Sequence, residues 1–120
     1  MLLTMISVSS MLYNSIKFIT MATTPIHVFA RWKVTEGNMQ TVLKLLSELR
    51  SATTMENGNL FYTVHQSKAD ANTLLLFEGY TDEAAQKEHA NSAHFKKLAT
   101  EQIIPLLQER EVMLAVPLEI

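Results

Sequence analysis

Apolar and polar residues alternate along "PIHVFARWKV", residues 25–34. Ile26, Val28, Ala30, Trp32 and Val34 fall on one side, and His27, Phe29, Arg31 and Lys33 on the other. A period of two is that of a strand, here with one strongly apolar face. "TEGN" interrupts the alternation at Gly37, and the period then lengthens. Met39, Val42, Leu43, Leu46 and Leu49 recur at helical spacing, which predicts a helix over about 39–53. After the turn signal "ENGN", the segments "LFYTVHQ" and "TLLLFEGY" flank a short polar "KADAN" and predict a hairpin. Thr81 or Asp82 suits the N-cap of a helix "DEAAQKEHA", with Asp82 and Glu83 where the helix dipole favours negative charge. "NSAHF" restarts a second helical stretch, "FKKLATEQIIPLL". Phe95, Leu98, Ile103 and Leu106 form its apolar side and Pro105 limits it. "EVMLAVPL", residues 111–118, alternates again and predicts the last strand.

The order strand, helix, strand, strand, helix, strand is a ferredoxin-like βαββαβ arrangement of the α+β class. It is a four-stranded antiparallel sheet with its helices on one face. "LFYTV" and "TLLLF" are apolar on both faces, whereas a sheet with one solvated face alternates. The face without helices therefore calls for a cover. A second copy of the chain is expected to provide it, making a homodimer. The covers available within one chain are the N-terminal stretch and the C-terminal tail.

A length of 120 residues is that of one domain. With 48% hydrophobic residues the chain can bury a core, and its net charge of −2 includes no basic run of five. A nucleic-acid footprint is therefore absent. The absence of cysteine removes disulfides, iron–sulfur clusters and thiol catalysis, and suits a cytoplasmic protein. The three glycines Gly37, Gly58 and Gly79 form no phosphate-cradling motif, so no nucleotide cofactor is expected. "MLLTMISVSSMLYNSIKFIT" is too polar for a membrane span and lacks the basic start of a secretory signal. A regular pattern begins just after Met21. Residues 1–22 are expected to be a poorly ordered leader or a mis-assigned start, and 23–120 the folded domain, with no membrane partner.

Candidate chemistry concentrates in "LFEGYTDEAAQKEHANSAHF", residues 76–95. Glu78 and Tyr80 lie two apart on one strand and share a face, and partial desolvation at the end of an apolar run would raise the Glu78 pKa. His89 can take or give a proton near neutrality. Ordinary structural roles are equally available to each: a strand-end carboxylate can pair with a lysine, His89 can pack beside alanines, and His94 can bond an open helix end. His89 and His94 are five residues apart, about 140° around a helix, and the only acid close by, Glu88, leans away. No metal is expected.

The stretch "GNLFYTVHQSKADANTLLLFEGYTDEAAQKEHANSAHFKKL" resembles the antibiotic biosynthesis monooxygenase family, as does "ARWKVTEGN". Its marks are Gly58 before a strand with Tyr62, Asn72–Thr73 opening the next strand, the Glu78–Gly79–Tyr80 triplet, "DEAA", and His89, His94 and Phe95. Two positions depart from the pattern of many members: Tyr80 stands in place of a tryptophan and Ala93 in place of a proline. The resemblance implies a dimeric α+β barrel and a cofactor-independent monooxygenase that oxidises a quinol or polycyclic phenol with O2. It implies His89 as proton acceptor, Tyr80 as orienting hydroxyl, Glu78 as their partner, and Trp32, Phe95, His94 and Tyr62 around the substrate. Some relatives with "YTDEAA" at this place isomerise small phosphorylated diones. That alternative would need cations for phosphate, for which Arg31 or Lys33 are the candidates. A non-catalytic small-molecule-binding dimer is the third reading.

Overall fold

The computed structural model describes residues 23–120. Its elements are β1 (Ile26–Val34), helix α1 (Met39–Thr54), β2 (Asn59–Gln66), β3 (Thr73–Tyr80) and helix α2 (Glu83–Ala90). Helix α3 (Phe95–Ile103), wound with the wider π-type turn, and a 3-10 turn (Ile104–Leu106) then lead into β4 (Leu107–Ala115). The strands lie in the order β2-β3-β1-β4, every neighbouring pair antiparallel. This is the ferredoxin-like βαββαβ arrangement of the α+β class.

One boundary differs from the sequence expectation. Strand β4 begins at Leu107 and ends at Ala115, where alternation predicts residues 111–118. Its first half is charged, and the charges pair across the strands: Arg31 on β1 donates to Glu109 at 2.7 Å and to Glu111 at 2.9 Å. Cross-strand ion pairs of this kind support pairing without leaving a hydrophobic period to read. The preceding helical stretch is correspondingly shorter. Pro105 falls in the 3-10 turn after Ile103, since a proline ring clashes with the previous turn of a helix.

Helices α1 and α3 pack on one face of the sheet. Ala30, Trp32 and Val34 of β1 and Leu74 and Leu76 of β3 are buried against Val42, Leu46, Leu49, Leu98 and Ile103. On the opposite face Phe29, Leu75 and Met113 are 44%, 42% and 64% exposed. They surround a ring cluster in which Phe77 lies 4.7 Å from both Phe29 and Phe61, with His27 edge-on to Phe61 and Phe77 at 5.3 Å. Phe61 crosses directly over Gly79, where a Cβ would meet the ring at 2.2 Å. The C-terminal tail does not cover this face: Val116, Leu118 and Ile120 are themselves exposed. The stretch 1–22, the other cover considered, lies outside the described residues, as does the expectation of a leader there. No described helix is long and apolar enough to cross a membrane.

Candidate active site

The α1–β2 loop, the end of β3 and the α2–α3 junction meet at one end of the sheet. Asp82 caps α2, its carboxylate accepting from the Ala85 amide at 2.8 Å. That sets the helix so that His89, in its last turn, points inward and is buried. Helix α2 then stops. The Asn91 side chain donates to Lys87 O, and Ser92 Oγ donates to His89 O at 2.7 Å while accepting from the Phe95 amide. These bonds satisfy the end of one helix and the start of the next. The chain restarts in a new direction, and His94 returns to the side of His89, their rings 6.2 Å apart.

The acid between them comes from the loop after α1. Glu56 is held by backbone bonds from its own amide to Thr53 O and from the Asn59 amide to its carbonyl. The loop lies directly on α2 at Gly58, whose carbonyl accepts from the Thr81 amide at 2.9 Å. A Cβ there would approach Ala85 Cβ to 2.4 Å, so only glycine permits this contact. Gly58→Ala is expected to push the loop off α2 and to destabilise the fold by about 1–3 kcal/mol. Urea unfolding would read the loss, and an unchanged midpoint would place the contact elsewhere.

Glu56 Oε2 accepts from His89 Nδ1 at 2.9 Å and from His94 Nε2 at 2.5 Å. A carboxylate oxygen only accepts, so the His89 proton is assigned to Nδ1 and its Nε2 is left as a lone pair. That nitrogen lies 3.7 Å from Glu78 Oε1, too far for a direct hydrogen bond. Tyr80 donates to the same Glu78 oxygen at 2.6 Å, and its ring lies 5.0 Å from that of His89. The five groups therefore lie in line as two hydrogen-bonded sets, His94–Glu56–His89 and Glu78–Tyr80, with a gap of 3.7 Å between them.

Burial sets the proton levels of these groups. It raises the Glu78 pKa from 4.5 to about 7, against the Tyr80 hydrogen bond, which favours the carboxylate, and with help from nearby Glu56. It lowers the His89 pKa from 6.5, against the Glu56 hydrogen bond and charge, which favour the imidazolium. His89 is thus neutral near pH 7 and faces a carboxyl group titrating in the same range. Burial, with the Glu78 charge, drives the Tyr80 and Tyr62 hydroxyls far up, so both phenols stay protonated.

A cavity of about 160 Å3 opens on these groups, walled by Trp32, Tyr62, Phe95, Val28 and Val112 with Glu78 and His89 among the polar groups. Trp32 Nε1 is buried and has no hydrogen-bond partner. An unpaired buried donor costs about 1–3 kcal/mol. A second cavity, of about 190 Å3, lies on the far side of Glu56 and includes His94, Glu88 and Ser92.

Of the residues singled out from sequence, Trp32, Tyr62, Glu78, His89 and Phe95 share the first cavity. Tyr80 is fully buried and adjoins it only through Glu78 and His89. His94 does not line this cavity: the helix restart carries it to the second one, with Glu56 between. Glu56, Gln86 and Arg110 were not legible as site residues. Glu56 lies 33 residues before His89 in a turn where its signal is only "ENGN". Glu56 is also the third potential metal ligand that the neighbourhood of the two histidines lacks in the sequence. Donor atoms of Glu56, His89 and His94 all lie within 4.8 Å of one another, a set able to receive a divalent cation.

Fold and site define a class: a ferredoxin-like α+β domain with a buried acid–base cluster opening on an apolar-walled cavity. The chain belongs to the antibiotic biosynthesis monooxygenase family, whose model matches residues 25–101. Rv0793 from Mycobacterium tuberculosis is similar at 28% identity, with a TM-score of 0.74 over 80% of this chain and 97% of that one. PA3566 from Pseudomonas aeruginosa is similar at 26% identity and TM-score 0.74, over 81% of this chain and 97% of that one. A candidate antibiotic biosynthesis monooxygenase from Bacteroides thetaiotaomicron is 27% identical at TM-score 0.73, over 80% of this chain and 91% of that one. No curated protein matches the chain.

Proposed function

We propose that this protein is a cofactor-independent monooxygenase that oxidises a quinol or phenol with O2. The observation that carries the reading is His89, held neutral by burial and fixed by Glu56 with Nε2 on the side of Glu78, beside an apolar-walled cavity. His89 Nε2 takes the phenolic proton, and the phenolate gives an electron to O2. The two combine in a carbon–oxygen bond to the ring. His89 returns its proton to the distal peroxide oxygen. Glu78 then takes the ring hydrogen as the O–O bond breaks and hands it to the departing hydroxide, which leaves as water. One oxygen atom ends as a quinone carbonyl and the other as water, and all four electrons come from the substrate. Tyr80 acts through Glu78, as a positioning residue. The test is oxygen uptake with hydroquinone and 1-naphthol, with no added cofactor, against an anaerobic control. Absence of uptake with either would remove the proposal.

The isomerase alternative loses its phosphate site. Arg31 is taken up by Glu109 and Glu111, Lys33 lies 4.0 Å from Asp70, and both point to the sheet face away from His89. A binding module without turnover would show ligand uptake and no oxygen uptake.

The open aromatic face supports a homodimer as part of the same reading, completing an α+β barrel in a cytoplasmic protein. A patch containing Phe29, Leu75 and Met113 around stacked rings suits a two-fold, self-complementary interface. Phe29→Asp is expected to raise the dimer Kd by about 100-fold or more, since it buries an unpaired charge at the centre of the patch. Sedimentation equilibrium reads this, and a variant as dimeric as wild type would exclude the face as the interface.

A further inference from the structure

The first cavity carries two features that the acid–base cluster does not use. The Trp32 ring forms part of its apolar wall, and Arg110 lines it on β4, in register beside Trp32. Arg31 and Arg50 are both engaged, the first by two glutamates and the second by the Tyr62 carbonyl. The Arg110 guanidinium has no ion-pair or hydrogen-bond partner among the described residues. It is also exposed, so it stands at the mouth, while Trp32 stands at the wall. The volume of about 160 Å3 matches the ~150 Å3 at which an apolar protein cavity takes up a benzene ring. The enclosed space suits one ring or a fused pair.

From these features we infer that the ligand is a hydroxylated aromatic acid of one ring or a fused pair, its carboxylate on Arg110 and its ring against the wall formed by Trp32 and Phe95. A guanidinium fork matches the two oxygens of a carboxylate, and one such fork pairs with it fully. A phosphate dianion calls for more donors than this mouth offers. That pose leaves the ring hydroxyl for His89, which lines the same cavity and takes the phenolic proton in the proposed reaction. The inference rests on the monooxygenase reading for that last role and on the cavity alone for the ligand class.

Trp32 is the single tryptophan of the chain, so its fluorescence reports occupancy, with calorimetry for confirmation. The probes, used without oxygen, are 2,5-dihydroxybenzoate, hydroquinone, phenyl phosphate and anthracene-9-carboxylate. 2,5-Dihydroxybenzoate is expected to bind about tenfold tighter than hydroquinone and tighter than phenyl phosphate, and anthracene-9-carboxylate at least tenfold weaker. In Arg110→Met, a surface change that keeps the alkyl stem, the preference for 2,5-dihydroxybenzoate over hydroquinone is expected to fall to about one. Equal affinity for these two in wild type, or a preference that persists in Arg110→Met, overturns the inference. So does tight binding of the three-ring acid or of phenyl phosphate. Binding through Arg110 with no oxygen uptake in air would leave the ligand class standing and remove the monooxygenase. Uptake with hydroquinone and no advantage from the carboxylate would do the reverse.

Discussion

His89→Ala is expected to lower kcat/KM for oxygen uptake by about 10²- to 10⁴-fold, the contribution of a positioned general base. The reason lies in what surrounds the ring. Burial keeps it neutral, and Glu56 holds its proton on Nδ1, so Nε2 is the basic atom of the site. Removing the ring leaves Glu78, 3.7 Å from the former Nε2, as the only other titrating group of the cluster on the cavity wall. The alanine variant also strips a donor from Glu56, so His89→Asn, which can keep an N–H for that acid, is the partner measurement. Both variants should fold, by circular dichroism, and both should lose turnover. Wild-type rates in either would take His89 out of the chemistry.

Glu78→Gln carries the second large effect, and it is one of stability. The Glu78 carboxyl gives up its proton near pH 4.5 when unfolded and at about 7 when folded. Between those values the folded state holds more protons than the unfolded one, so stability falls as pH rises through the window. The loss from pH 4 to pH 8 is about 3 kcal/mol for this one group. Glutamine fills the same space, can still accept the Tyr80 hydroxyl, and does not titrate. The variant should lose the decline that wild type shows across pH 5–8, and above pH 7 it should melt roughly 10 °C higher. Thermal unfolding across that range decides it. A wild-type curve with no decline would mean that Glu78 is solvated.

The fold was legible because its elements write their own periods. Alternation in "PIHVFARWKV" and helical spacing from Met39 to Leu49 are local properties of a chain that must bury one face. The misread boundary, β4, is the one strand whose first half is held by charges from another strand. Glu78 and Tyr80 were legible as a pair, because two residues apart on a strand always share a face. His94 lines a different cavity from His89 because Ser92 turns the chain between the two histidines, a local event without a periodic signature.

The sequence by itself determined the element order, the apolar faces, the capped helix that delivers His89 and the absence of thiol or nucleotide-cradle chemistry. Each of these follows from neighbours a few residues apart. Only the tertiary structure decided that Glu56 sits between His89 and His94, that Arg31 faces away while Arg110 stands at the cavity mouth, and that Trp32 Nε1 has no partner. Those relations join residues dozens of positions apart. They are set by sheet register and by a loop packed against a helix at Gly58, which no local period encodes.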